Sequence, residues 1–347
     1  MRAIVFPHAG SATLADVAEP SPGPKDVVIE VAAVGICGTD THVHDGEFEG
    51  TVYPLIPGHE ASGRVASIGS HVSHLAVRDP VVVNPSTTCG ECEFCVIGRT
   101  NLCRRWNGLG VVASDGACAR FLKAPAANVY KLRESTDLYE AALIEPLACA
   151  LRGYDLLPRV MGSHYLVYGS GTMGLLMVQL APRAGAASVT IVDTNPARLE
   201  AARELGIVDA LTSAHDAARD RWDVVIDCTG NIRAIEDGLA RVKPGGHFQH
   251  FGVAPTEARA EYSPFRVYRD EITIVGTMAV LNTFGRAVEM FEAGAIDPRP
   301  MISHSFSLED YVEALDMFRR GTGRKLQIRP GDDRSRELLP SSERTVA

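Results

Sequence analysis

The chain has 347 residues, 46% of them hydrophobic and 22% charged, with a formal net charge of -9. That length allows two domains with ordinary cores, and the acidic balance argues against nucleic-acid binding by bulk electrostatics. No apolar run approaches the roughly 20 residues of a membrane span, and the N-terminus, Met1-Arg2-Ala3-Ile4-Val5-Phe6-Pro7, lacks the features of a signal peptide, so a cytoplasmic address is expected.

The first 35 residues read as short strands broken by turns. Ala3–Phe6 and Val27–Val31 are apolar, and the loop Glu19-Pro20-Ser21-Pro22-Gly23-Pro24 between them cannot be regular structure. Next come Gly35-Ile36-Cys37-Gly38-Thr39-Asp40-Thr41-His42 and, 22 residues after Cys37, His59 in Pro57-Gly58-His59-Glu60. Cysteine, histidine and glutamate are ligand types of a catalytic zinc, which keeps one position open. Taken alone the pair is weak, because a lone cysteine is more often a small buried hydrophobe. Further strands are expected at Gly63–Gly69 and Pro80–Asn84.

The chain has eight cysteines, and four fall within fifteen residues: Cys89, Cys92, Cys95 and Cys103. Disulfides are rare in reducing compartments, so clustered cysteines point to metal. Two-residue gaps let successive thiolates wrap one tetrahedral ion, and the longer gap brings back the fourth. The expectation is a closed, structural zinc.

Strand character returns at Ala119–Lys123 and Val129–Leu132. Tyr139–Leu151 then reads as a helix with Glu145-Pro146 inside it, where proline kinks or restarts the helix. Glu145, in an apolar setting, either meets a metal or sits as a first-turn acid favoured by the helix dipole.

The second domain has a clearer pattern. The strand His164–Tyr168 is followed by Gly169-Ser170-Gly171-Thr172-Met173-Gly174 and a helix from Leu175. This is G-x-G-x-x-G between a strand and a helix, where glycines admit a pyrophosphate at the helix N-terminus. Strand Ser188–Val192 ends at Asp193, 19 residues past Gly174. An acid there accepts the adenosine ribose hydroxyls and repels a 2′-phosphate, which favours NAD over NADP. Asp193 could instead cap the helix begun by Pro196, and Arg198 could tolerate a phosphate. NAD is the expectation.

Alternation continues through strand Trp222–Cys228, helix Asn231–Arg241, a turn at Lys243–Gly246, strand His247–Phe251 and strand Glu271–Val275. Repeated β–α units imply a parallel sheet with helices on both faces. Ligands gather at the carboxyl ends of such strands, so Thr229, Phe251, Gly252, Val253, Thr277, Met278 and Ala279 are candidate nicotinamide-side contacts. Thr283–Ala293 and Leu308–Arg320 read as amphipathic helices, and a loose tail is expected from about Gly331.

Taken together, Gly35–Asp40, Gly58-His59-Glu60, the four-cysteine lobe, Gly169–Gly174 and Tyr268-Arg269-Asp270-Glu271 resemble the zinc-dependent medium-chain dehydrogenases, to about residue 330. Ile144-Glu145-Pro146-Leu147-Ala148 is similar to the polyol branch, which acts on sorbitol, arabinitol and galactitol. The resemblance implies an α/β chain: a β-rich, GroES-like catalytic domain of residues 1–152 and 288–347, with a doubly wound Rossmann cofactor domain of residues 153–287. It implies catalytic Zn2+ on Cys37 and His59, with Glu60 and Glu145 as alternating ligands, and structural Zn2+ on the four-cysteine lobe. Thr39 would take the substrate proton, His42 would pass it toward solvent, and NAD would accept hydride. Homo-oligomers, tetramers or dimers, are common in the family.

The chain departs from the family pattern at Val77-Arg78-Asp79-Pro80, where a glycine-aspartate-arginine turn is usual. Pro182 should distort the end of the helix after the glycine loop. Ala279-Val280 stands where sorbitol-type enzymes place an arginine and a tyrosine, which weighs against sorbitol itself. Three other readings are possible: a threonine 3-dehydrogenase or other amino-alcohol enzyme, a non-catalytic NAD- and zinc-binding protein, and a zinc-ribbon nucleic-acid binder.

Overall fold

A computed structural model describes residues 1–332 and the backbone of Arg336–Glu337. Two compact units emerge, one of Met1–Glu145, Val280–Ala293 and Ile302–Ala347, the other of Pro146–Ala279 and Gly294–Met301.

The first unit is built on an eight-stranded sheet. Its order is Arg336–Glu337, Ile302–Phe306, Lys325–Ile328, Asp26–Gly35, Glu60–Ile68, Pro80–Val83 and Val129–Lys131, with Phe121–Pro125 also paired to Asp26–Gly35. Asp26–Gly35 is the longest strand and the most central. Its Val27, Ile29, Val31 and Val34 lie in one core with Phe6, Val81, Leu122, Tyr311 and Leu326. The register pairs Gly35 with Glu60 on one side and with Gln327 on the other. That row of three strands sets up the site. Beyond Asp332 the expected tail falls outside the described residues, except that Arg336–Glu337 pairs antiparallel with Ser305 and His304.

The turn before Pro80–Val83 is left-handed at Arg78, where the usual family turn differs in sequence. Arg78 has φ 77°, a region that favours glycine. Its N–H donates to the Val65 carbonyl at 2.7 Å, and the Asp79 carboxylate accepts from the Ala76 N–H at 2.8 Å.

Six parallel strands form the sheet of the second unit, in the order Asp209–Leu211, Ala186–Val192, Ser163–Tyr168, Trp222–Asp227, Val242–His250 and Thr273–Gly276. This is the doubly wound order, with its reversal point at Ser163–Tyr168. Trp222, Phe248, Leu166 and Val225 anchor the core. The turn expected at Lys243–Gly246 is instead part of strand Val242–His250. The strand takes it up as an irregularity, with the pairing to Trp222–Asp227 shifting register and Gly245 at φ 74°.

Proline acts at both expected places. The α-helix Thr172–Leu180 stops and tightens into a 3₁₀ turn at Ala181–Ala184 around Pro182. The helix expected at Tyr139–Leu151 is two pieces, Leu138–Ala141 and Ile144–Asp155. Pro146 lies in the first turn of the second piece, where its missing N–H has no intrahelical partner to lose.

Candidate functional site

Sheet register brings Cys37 and His59 together. Cys37 follows strand Asp26–Gly35 and caps helix Gly38–Asp45 in extended conformation, and His59 directly precedes strand Glu60–Ile68. Gly35 opposite Glu60 therefore puts the two loops side by side. The ligand atoms of Cys37, His59 and Glu60 lie within 4.8 Å of one another. Two glycines allow this packing. A Cβ on Gly35 would fall 2.1 Å from Glu60 Oε2, and one on Gly58 (φ 96°) would fall 2.7 Å from Cys118 Sγ.

Asp40, fully buried, stands behind both candidate ligands. One of its oxygens accepts the Cys37 N–H at 2.8 Å, and the other lies 3.5 Å from His59 Nδ1. At 3.5 Å this is an ion-pair contact without a hydrogen bond; a carboxylate that bonds to a ligating histidine fixes the ring and leaves the other nitrogen for metal. Burial opposes the imidazolium, but the charges of Asp40 and Cys37 outweigh it and hold His59 well above the usual histidine range. The cluster therefore favours a cation at this point. A metal ion fits the donor set and would replace that proton.

Glu60 carries its own counter-ion. Lys325, buried on the neighbouring strand, pairs with the Glu60 carboxylate and donates to the Ile36 carbonyl at 3.1 Å. Burial pushes the ammonium toward its neutral form, but Glu60, Cys37 and Glu145 more than offset this and hold Lys325 above its ordinary range. Glu145 is buried and acts on this lysine, but it is not part of the Cys37–His59–Glu60 cluster. The sequence reading missed both Asp40 and Lys325. Asp40 was visible three residues after Cys37, whereas nothing local marks Lys325.

Thr39 and His42 lie on helix Gly38–Asp45, one turn apart and so on one face. Thr39 Oγ1 is 3.8 Å from Cys37 Sγ. His42 Nδ1 is 2.7 Å from Glu47 Oε2.

The four-cysteine lobe is formed as expected. Cys89, Cys92, Cys95 and Cys103 offer sulfurs within 4.8 Å of one another. Separations of 3.9 Å (Cys89–Cys95), 3.9 Å (Cys92–Cys103) and 3.5 Å (Cys89–Cys103) are close to tetrahedral edges. Thiolates about 2.3 Å from one central ion would stand about 3.8 Å apart. Backbone N–H groups of Cys89, Cys92 and Arg105 point at these sulfurs. The N–H groups of Glu91 and Cys92 pull the Cys89 thiol down to about 6, while burial pushes Cys95 up to about 11.

In the second unit, Gly169 (φ 96°), Gly171, Thr172, Met173 and Gly174 turn strand Ser163–Tyr168 into helix Thr172–Leu180. A Cβ on Gly174 would meet the Gly169 carbonyl at 1.7 Å, so the turn itself requires glycine there. A Cβ on Gly171 would meet nothing within 4 Å, and no side chain caps the helix. That opening, with its N–H groups and dipole, suits a pyrophosphate. Asp193 accepts the N–H of Ser170 and of Asn195 at 2.8 Å each, and Arg198 approaches it at 4.0 Å. The cap of the next helix is Asn195, with Pro196 first. Thr229, then Phe251, Gly252 and Val253, then Thr277, Met278 and Ala279 follow the carboxyl ends of three neighbouring strands. Thr277 is held by Gln249 at 2.8 Å, and Ala279 adopts φ 40°.

The site can be set beside known proteins. An alcohol dehydrogenase GroES-like domain matches residues 23–134, and a zinc-binding dehydrogenase domain matches residues 172–293. D-arabinitol dehydrogenase 1 of Uromyces fabae is 35% identical over 318 residues, covering 88% of this chain and 90% of that protein. Sorbitol dehydrogenase of Bacillus subtilis (strain 168) is 32% identical over 328 residues, covering 91% and 93%. A zinc-binding dehydrogenase of Sinorhizobium meliloti 1021, solved bound to NADP, superposes with TM-score 0.89 at 31% identity, covering 95% of this chain and 99% of that one. Two clusters of metal-ligand type, a glycine loop between strand and helix and these relatives agree: the chain belongs to the zinc-dependent medium-chain alcohol and polyol dehydrogenase family and is an oxidoreductase that works with a nicotinamide nucleotide.

Proposed function

We propose that the protein oxidises a secondary alcohol of the polyol class, with NAD as hydride acceptor. The observation that carries this reading is the cluster of Cys37, His59 and Glu60 beside Thr39, in a chain whose relatives include dehydrogenases named for arabinitol and sorbitol. Cys37 and His59 would hold the catalytic zinc, with Glu60 and Glu145 as alternating ligands, and Cys89, Cys92, Cys95 and Cys103 would hold a structural one. Bound there, zinc supplies Lewis acidity that makes an alcohol easier to deprotonate, and the nucleotide supplies the hydride acceptor. Thr39 Oγ1 takes the hydroxyl proton, and His42 passes it to solvent. Asp40 orients His59 and supports the Cys37 backbone, and Lys325 balances Glu60.

The glycine loop with Thr172 and Met173, and the residues Thr229, Phe251, Gly252, Val253, Thr277, Met278 and Ala279, would line the cofactor. Asp193 supports NAD because a carboxylate repels a 2′-phosphate. Ala279-Val280 brings no polar side chain to the position where sorbitol-type enzymes place two. That favours a shorter, bulkier or less polar alcohol than sorbitol. In this reading residues 1–152 and 288–347 form the catalytic domain and residues 153–287 the cofactor domain. The working form is a homo-oligomer in the cytoplasm, with neither nucleic acid nor membrane as partner. The net charge of -9 supports the first exclusion. Among the described residues no helix is long and apolar enough to cross a membrane.

The test is NADH formation, followed by its near-ultraviolet absorbance, over a panel of polyols, simple secondary alcohols, amino alcohols and L-threonine. Each would be run with NAD and NADP, before and after chelation. A chelator-sensitive signal with a polyol and NAD is expected. A signal confined to L-threonine would move the substrate class to amino alcohols. Silence across the panel, with metal bound, would overturn the assignment.

A further inference from the structure

Helix Gly38–Asp45 ends at Gly46, whose φ of 77° turns the chain back on itself. The N–H groups of Glu47 and Phe48 then donate to the His42 carbonyl at 2.8 and 3.2 Å. The same return lays the Glu47 carboxylate against the His42 ring, Oε2 to Nδ1 at 2.7 Å. One turn therefore holds His42 by both backbone and imidazole.

Two readings of this pair compete. Its side chains are 28% and 60% exposed, and an exposed ion pair of this kind contributes little to stability. Its position suggests a different use. His42 sits one turn from Thr39 on the helix that Cys37 caps. The neighbouring charges are occupied elsewhere: the Asp45 carboxylate accepts from His44 Nδ1 and from Arg319, of helix Tyr311–Arg319. A carboxylate only accepts, so Nδ1 must carry the proton of the 2.7 Å bond. In the neutral ring the acceptor is then Nε2.

We propose that Glu47 is a positioning residue that locks His42 in the Nδ1–H tautomer, so that Nε2 is the nitrogen that accepts the substrate proton. This rests on the reading of Thr39 and His42 as the proton path. In the step, the Thr39 O–H proton moves toward His42 as the substrate hydroxyl re-protonates Thr39. The new bond is Nε2–H, Nδ1–H stays on Glu47, and the imidazolium returns its Nε2 proton to water.

The experiment combines the tautomer with kinetics. In protein carrying 15N-labelled histidine, long-range proton–nitrogen spectra report which nitrogen of the neutral His42 ring is protonated, with His42→Gln identifying the signals. The expected pattern is Nδ1–H in the native protein and a shift toward Nε2–H in Glu47→Ala. Glu47→Gln, which keeps a carbonyl acceptor, restores most of the native pattern. With the alcohol turned over fastest in the panel, Glu47→Ala should lower kcat about tenfold, part of the 10²–10⁴ range of general base catalysis, with KM and zinc content unchanged. The double variant with His42→Gln should be no slower than His42→Gln alone. An unchanged tautomer or unchanged kcat in Glu47→Ala, with His42→Gln slow, overturns the inference alone. Full turnover in His42→Gln overturns the proton path as well.

Discussion

Lys325 and Glu60, 265 residues apart, form an ion pair in which both side chains are almost wholly buried, at 3% and 2% exposure. The pair lies across Gly35, in a row of three strands, and the lysine also holds the carbonyl of Ile36, next to Cys37. Charge balance at the Cys37–His59–Glu60 cluster is therefore a property of the sheet. Removing one partner leaves a buried charge uncompensated, a loss of about 3–5 kcal/mol. Lys325→Met should lower the unfolding free energy of chelator-treated protein by that amount, and Lys325→Arg should recover part of it. Equal midpoints for Lys325→Met and native protein would show that the pair does not hold this site together.

The four-cysteine lobe predicts a separable metal. With two clusters of ligand type among the described residues, Cys95→Ser should take metal analysis from two zinc ions per chain to one and make the lobe protease-sensitive. A structural site contributes folding energy directly, so the melting temperature should also fall. Two zinc ions retained by the variant would argue against this lobe as a ligand set.

Acid stability has a named contributor. The hydrogen bond from Lys131, at 2.6 Å, holds the Asp79 carboxyl below its ordinary range, against some burial. A carboxyl group depressed in the folded state adds stability above its unfolded pKa, about 3.9, and loses it as pH falls through the lower folded value. Asp79→Asn should therefore be less stable than the native protein at neutral pH. The gap between their urea midpoints should close below about pH 4. A gap that stays constant down to pH 2.5 would exclude the linkage.

Arg78 is exposed and holds φ at 77°. A side chain in that region costs about 1 kcal/mol or more, which glycine avoids at some expense in unfolded-chain entropy. Arg78→Gly should raise the unfolding free energy by roughly 1 kcal/mol, because Arg78 bonds here through its backbone alone: its N–H donates to the Val65 carbonyl, and its carbonyl accepts from the Arg64 guanidinium. A lower midpoint would mean that the arginine side chain stabilises the turn in some other way.

Short-range rules reached much of this protein. Strand Ser163–Tyr168 and its glycine loop, the 3₁₀ turn at Pro182, the helix restart at Pro146 and the spacing of Cys89, Cys92, Cys95 and Cys103 follow from steric limits and repeats that act over a few residues. For the same reason Cys37 and His59 were legible as ligand types from local sequence, and only the family resemblance put them on one zinc. Their meeting depends on Gly35 standing opposite Glu60, a matter of strand register. Lys325 comes from the far end of the chain and carries no local mark, because only sheet order places it beside Glu60. Asp40 was in view, but its placement behind both Cys37 and His59 needs the two loops already packed. Even Glu47, five residues from His42, reaches the ring only because Gly46 takes a left-handed turn. Local sequence specified which groups are present and which elements carry them; register, burial and the direction of each turn, which depend on contacts far apart in the chain, decided which of those groups touch.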